Sequence, residues 1–155
     1  MRKVGLIPFD VQNEAIAVLF VTSMARGRWI LPKGNVKKSE DPIDAVRREA
    51  FEEAGIKGHV LEEFPFTVPI SKKMNDGLGV VPVTYYPFLV YDQFDEWPES
   101  KKRQRHWALI EQAHRAVHRA DFLDLLKNFE ALRPWITEVA LRDKERQQSR
   151  RSKAR

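Results

Sequence analysis

The 155-residue chain contains no cysteine. That excludes a disulfide framework, a thiolate metal site and a cysteine nucleophile. It also lacks a long apolar run. Met1-Arg2-Lys3 opens as a signal peptide would, but the apolar stretch after it is short and breaks at Asp10, Gln12 and Asn13. No segment could span a membrane, and a cytoplasmic protein is expected. Histidine is scarce: His59, His106, His114 and His118 form no metal set, because the His114/His118 pair has helical spacing but no His-Glu-x-x-His motif. Ser23, Ser39 and Ser71 lie in no nucleophile motif, and there are neither internal repeats nor a low-complexity core.

What charge imbalance exists is local. Residues 142–155 carry five Arg and two Lys against Asp143 and Glu145, which accounts for the whole net charge of +5, while the remaining residues hold twenty basic and twenty acidic groups. One domain over residues 1–141 is therefore expected, followed by a basic, disordered tail at 142–155. That tail is the one part expected to touch nucleic acid. Within the domain the pattern is mixed α and β. Residues 4–9, 15–22, 29–31, 58–70, 80–91 and 104–110 read as strands, with a loop over 71–79. Residues 42–54, 111–117 and 120–131 read as helices, the last carrying Phe122, Leu125, Leu126 and Phe129 on one stripe. Pro134 then restarts or kinks the helix.

The richest stretch is Gly34 to Ile56, which reads Gly34, five residues, Glu40, seven residues, then Arg48-Glu49-Ala50-Phe51-Glu52-Glu53-Ala54-Gly55-Ile56. Asp41 before Pro42 is a good helix start and Gly55 a natural stop. Ile43, Val46, Ala50 and Ala54 recur at helical spacing and would face a core. Glu49, Glu52 and Glu53 then project from one neighbouring surface, with Arg48 in reach of Glu52. Three like charges need a counter-charge. A hard divalent cation with oxygen ligands satisfies it, and a solvated helix face offset by Arg47 and Arg48 is the alternative.

Gly-x5-Glu-x7-Arg-Glu-U-x-Glu-Glu-x-Gly-U, with U apolar, is the Nudix box, and this stretch resembles it at every fixed position. The resemblance implies an α/β (α+β) Nudix fold, a mixed β-sheet sandwiched between helices. It also implies a metal-dependent hydrolase of a diphosphate joined to another group, using Mg²⁺ or Mn²⁺. By resemblance Glu49 and Glu53 are metal ligands, Glu52 is ligand or base, and the Gly34 carbonyl completes the shell. Arg48 orients Glu52, and Glu40 acts structurally or at a second metal. The general base lies in the box or in a later loop, where Glu96 and Glu99 are candidates. Substrate contacts are expected from Arg26, Arg28, Lys33 and Lys72, with Lys73 beside them, and from Arg103 and Arg105; Trp97 is the best stacking candidate. Pro32-Lys33-Gly34, where many members have Pro-Gly-Gly, is similar to subgroups acting on dinucleoside polyphosphates or on capped or triphosphorylated RNA ends. Trp97-Pro98-Glu99 with the basic run Lys101 to Arg105 is similar to the diphosphoinositol polyphosphate phosphohydrolases. A small diphosphate or polyphosphate is thus the expected partner. The alternatives are ADP-ribose or a nucleotide sugar, a nucleoside triphosphate, and a Nudix-fold module that binds nucleotide or RNA without cleaving it.

Overall fold

The computed structural model describes residues 2–153, apart from the side chain of Lys73. Eight strands form one mixed sheet: β1 (Lys3–Gln12), β2 (Ala15–Thr22), β3 (Trp29–Ile30), β4 (Lys33–Asn35), β5 (Ile56–Val60), β6 (Phe66–Met74), β7 (Gly77–Gln93) and β8 (Arg105–Leu109). β1 runs parallel to β7, and every other pairing is antiparallel. One edge of β1 is shared by β4 at its start and β2 at its end.

Helix α1 (Pro42–Ala54) covers one face of this sheet, burying Ala45, Val46, Ala50 and Ala54 against Val4, Leu6, Leu19, Val21 and Phe88. The opposite face carries α3 (Ala120–Ala131) and α4 (Arg133–Lys153), with Phe122, Leu125, Phe129 and Ile136 packed on Ile7, Phe9, Phe20 and Tyr85. The sheet is thus sandwiched between helices, as expected. Alternating side chains along β1 explain it: Val4 and Leu6 face one helix layer while Ile7 and Phe9 enter the other. Among the described residues no helix is long and apolar enough to cross a membrane.

Three expectations change. Residues 71–79, expected as a loop, complete a long hairpin in which Ile70 faces Val81 and Met74 faces Gly77 across the two-residue turn Asn75-Asp76. The helix expected over 111–117 is only a 3₁₀ turn (Ile110–Gln112) followed by the single turn α2 (Ala113–Ala116). The third concerns the basic tail, expected to be disordered, whose described part, residues 142–153, continues α4. Its Arg, Lys, Glu and Gln residues are good helix formers, and Lys144 is held by the Val11 carbonyl and by Asp10 at 2.6 Å. Residues 154 and 155 lie outside the described chain.

Candidate active site

Helix α1 supplies the acidic cluster because its two ends are well defined. The Asp41 side chain accepts from the Ile43 N–H at 2.8 Å, Pro42 opens the first turn, and Gly55 leaves the last one at φ 65°. A helix also ends with four carbonyls that its own backbone cannot satisfy. Here all four are taken. The Gly55 N–H donates to Phe51 O at 3.0 Å and the Glu99 N–H to Glu52 O at 3.1 Å. Trp97 Nε1 donates to Glu53 O and Arg105 to Ala54 O, each at 3.0 Å. The segment from Phe94 to Arg105 therefore clamps the end of α1 that carries the glutamates.

That clamp reassigns two side chains. Trp97, expected to stack on a ligand, lies against Gly55, where an added Cβ would stand 2.8 Å from its ring. Arg105, expected to bind substrate, is stacked 3.9 Å over that same ring and bonded to α1. A tryptophan and an arginine beside prolines and acids look the same in sequence whether they meet a ligand or a helix end.

Arg48 is the hub of the cluster. Its guanidinium grips Glu40 with two bonds of 2.9 Å, reaches Glu49 at 2.7 Å and Asn35 O at 2.9 Å, and meets Glu52 at 3.3 Å. Its principal partner is thus Glu40 rather than the expected Glu52. The Arg48 hydrogen bonds pull the Glu40 carboxyl down to about 2. Glu40 consequently ties the loop before α1 to the helix.

Glu49 and Glu53 are buried. Burial pushes both carboxyls up, Glu53 to about 8, with the Glu49 charge adding to the rise at Glu53 and the Glu52 charge adding to the rise at Glu49. Glu53 accepts from the Lys33 N–H at 3.3 Å and faces Arg103 at 3.5 Å. Arg103, expected to bind substrate, is 8% exposed and bonded to Glu99 at 2.9 Å and Thr22 O at 2.7 Å. It joins Glu99 to Glu53 inside the protein.

Among the described residues no three acidic or imidazole groups converge on one point, since Arg48 stands between Glu49 and Glu52. The donor chemistry fits a hard cation all the same. Mg²⁺ commonly takes one or two carboxylates and leaves its other positions to water and substrate phosphates, and two buried, under-compensated carboxylates are present here. Gly34 sets the approach: a Cβ there would fall 2.1 Å from Glu49 Oε1. Gly34→Ala is therefore expected to push the Glu49 carboxylate aside while sparing the fold. A displacement on that scale corresponds to about a hundredfold loss in kcat with little change in Tm, and an unaltered kcat would refute it.

The other expected residues do not all come together, although Lys72 is close enough to Lys33 for their charges to repel. Lys33 borders Glu53, and Lys72 lies exposed on β6. Arg26 and Arg28 are exposed on the turn between β2 and β3, and Glu96 is exposed on the clamp. A hollow of about 530 Å³ lined by Trp29, His106, Trp107, Arg115 and His118 contains no carboxylate, so the chemistry is read from α1.

The comparisons agree with this geometry. The family model described as NUDIX domain matches residues 1–139. Nudix hydrolase 12, mitochondrial, of Arabidopsis thaliana is 34% identical over 109 residues, covering 67% of this chain and 53% of the relative. Diphosphoinositol polyphosphate phosphohydrolase 2 of Rattus norvegicus is 28% identical over 134 residues, covering 81% of this chain and 70% of the relative. The chain spans a little over half the length of the plant relative. Among solved structures, a C. elegans Ap4A hydrolase binary complex superposes with a TM-score of 0.68 at 24% identity, covering 84% of this chain and 96% of that one. That likeness speaks to the fold. With the box on α1, the mixed sheet between helices and the match over residues 1–139, the chain belongs to the Nudix family.

Proposed function

We propose that the chain is a divalent-metal-dependent hydrolase of phosphoanhydrides, with dinucleoside polyphosphates or diphosphoinositol polyphosphates as its substrates. The observation that carries this reading is the pair of buried glutamates, Glu49 and Glu53, whose charge the protein only partly offsets. Lys33, in place of the commoner second glycine, supports a highly charged substrate. So does the similarity to relatives named as diphosphoinositol polyphosphate phosphohydrolases.

Mg²⁺ or Mn²⁺, held by Glu49 and Glu53 with Glu52 or the Gly34 carbonyl completing the shell, would neutralise the anhydride and acidify an attacking water. Glu52 is the best placed of the three candidate bases, Glu96 being exposed on the clamp. Its side chain is 37% exposed and shares only a 3.3 Å contact with Arg48, which leaves lone pairs to accept the water's proton. Glu99 is committed to Arg103 at 2.9 Å, and it acts by holding Arg103 against Glu53. Arg48 orients Glu49 and keeps Glu40 clamped.

The test is phosphate release from a panel of diadenosine polyphosphates, diphosphoinositol phosphates, ADP-ribose, nucleoside triphosphates and 5′-triphosphorylated RNA, with Mg²⁺ or Mn²⁺. Turnover of the first two classes, abolished by EDTA, is expected. Turnover confined to ADP-ribose or to nucleoside triphosphates would replace the substrate assignment, and silence from a folded, metal-binding protein would refute the reading as a hydrolase.

A further inference from the structure

The C-terminal half of α4 carries more positive charge than its neighbours balance. Between Arg142 and Lys153 stand six basic and two acidic residues and no apolar one, so this half of the helix has no apolar face to bury. One side of it is nevertheless fixed to the sheet. Lys144 meets Asp10 at 2.6 Å, Asp143 meets His59 at 3.6 Å and Arg151 meets Asp92 at 3.4 Å. The other side carries Arg146, Arg150 and Lys153, which recur at i, i+4 and i+7 and therefore form one stripe. All three are exposed, and among the described residues none of them is in an ion pair. Arg142 heads the same stripe but is neutralised by Glu138. Glu145 lies about 100° round the helix from Arg146.

The stripe borders a second basic wall. β5 pairs only with β7 and so lies at the edge of the sheet. Between that edge and α4 is a polar hollow of about 390 Å³, walled by Lys57 and His59 on one side and by Arg146 and Arg150 on the other. The acids that reach it, Asp92 and Asp143, are those already engaged by Arg151 and His59. Lys57 lies over the rings of Phe51 and Phe94, at 5.4 and 5.7 Å, so its charge is held in place without a carboxylate. No residue of the candidate active site lines the hollow. Arg146 and Arg150, four apart on one helix, repel each other. A polyanion laid along the stripe removes that cost.

Physical features of the stripe select the polyanion. A membrane surface needs an apolar helix face to bury, and after Leu141 there is none. The hollow is wide enough for one strand of a nucleic acid but not for two. Cations four residues apart on a helix are about 6 Å apart along its axis, a spacing that successive phosphates of a flexible strand can meet. Gln147 in the wall adds an amide that can donate to or accept from a sugar or a base. We propose that Arg146, Arg150 and Lys153, with Lys57 across the hollow, form a docking surface for single-stranded nucleic acid, held through its phosphate backbone. This surface neither needs the hydrolase reading nor blocks the glutamates of α1.

The experiment is fluorescence anisotropy of a labelled oligouridylate titrated with the full chain in EDTA, over a series of salt concentrations. For single strands the slope of log K against log salt is about −0.7 per phosphate contacted, so four cations give a slope of about −3. Arg146→Gln combined with Arg150→Gln should weaken binding about tenfold to a hundredfold and make the slope shallower by about 1.4. Its Tm should hold or rise, because a repulsion is removed. Lysine at both positions keeps the charge and should keep the slope. Lys101→Gln combined with Lys102→Gln, an exposed pair on the clamp with the same change in charge, should bind as the parent does. Tighter binding of oligouridylate than of oligodeoxyuridylate assigns RNA, and equal binding assigns the backbone that the two share. An unchanged slope in the Arg146→Gln, Arg150→Gln protein, an equal loss in the clamp pair, or tighter binding of a duplex would each overturn the proposal. So would displacement of the oligonucleotide by polyglutamate or by phosphatidylserine vesicles at equal charge, which would name an acidic protein or a membrane instead.

Discussion

Replacing Glu53 with glutamine should remove nearly all turnover and leave the protein folded, melting no lower than the parent. The two halves of this expectation have one cause. Glu53 is buried beside Glu49, and its carboxyl is pushed up to about 8, chiefly by burial. Charging it in the metal-free protein is costly. Glutamine has the same shape and can still accept from the Lys33 N–H, now 3.3 Å from Glu53 Oε2, while removing both the desolvation cost and the repulsion from Glu49. In the assembled site the same substitution takes away half of the buried carboxylate pair. A loss of about a thousandfold in kcat is expected, within the range for removing a single acid–base or electrostatic group, with Mn²⁺ binding weakened in parallel. Thermal melting in EDTA, Mn²⁺ titration and single-turnover hydrolysis test the three parts. Hydrolysis at the parent rate would end the assignment of Glu53 as a ligand, and a collapsed melting curve would show that its carboxylate is structural.

The second large effect is expected at a residue that contacts the backbone of Glu53 rather than its carboxylate. Trp97→Ala opens the clamp: it removes the donor to Glu53 O, the surface against Gly55 and the ring beneath Arg105 at once. For a half-buried tryptophan the cost is about 2 kcal/mol, or roughly 4–8 °C in Tm for a domain of this size. Turnover should fall about tenfold to a hundredfold as Glu53 and Glu99 lose their mutual alignment. Trp97→Phe retains the packing but not the Nε1–H, so it should recover most of the stability and only part of kcat. A Trp97→Ala protein that melts early yet turns over normally would reduce the clamp to a purely structural feature.

What is legible in the sequence depends on how local the cause is. The caps of α1, its apolar stripe and the shared surface of Glu49, Glu52 and Glu53 follow from helix geometry over a dozen residues, so they can be read from the string. The alternation of β1 between two helix layers is equally local. Contacts that close over long separations are not. The Trp97 bond to Glu53 O spans 44 residues and the Arg103 bond to Thr22 O spans 81, and nothing in either neighbourhood marks its partner. The β6–β7 hairpin was obscured for a different reason. Gly77 and Gly79 punctuate a stretch whose pairing is governed by Ile70, Val81 and Val83, which face their partners from either side of the turn. In the basic tail, charge dominated the composition, and the docking of Lys144 onto β1 outweighed it.

The clamp also bears on how this protein can change over generations. Its hold on α1 uses the Glu99 backbone, the indole of Trp97 and the guanidinium of Arg105. Glu96, Pro98, Lys101 and Lys102 on the same segment are exposed, and none of their side chains makes a bond of that hold. Substitutions at these four positions can therefore accumulate on the clamp without loosening the helix that carries the glutamates. The catalytic geometry and the chemistry at its border are thereby free to evolve at different rates, so one scaffold can acquire a new preference through point changes in a loop while its glutamates stay in place.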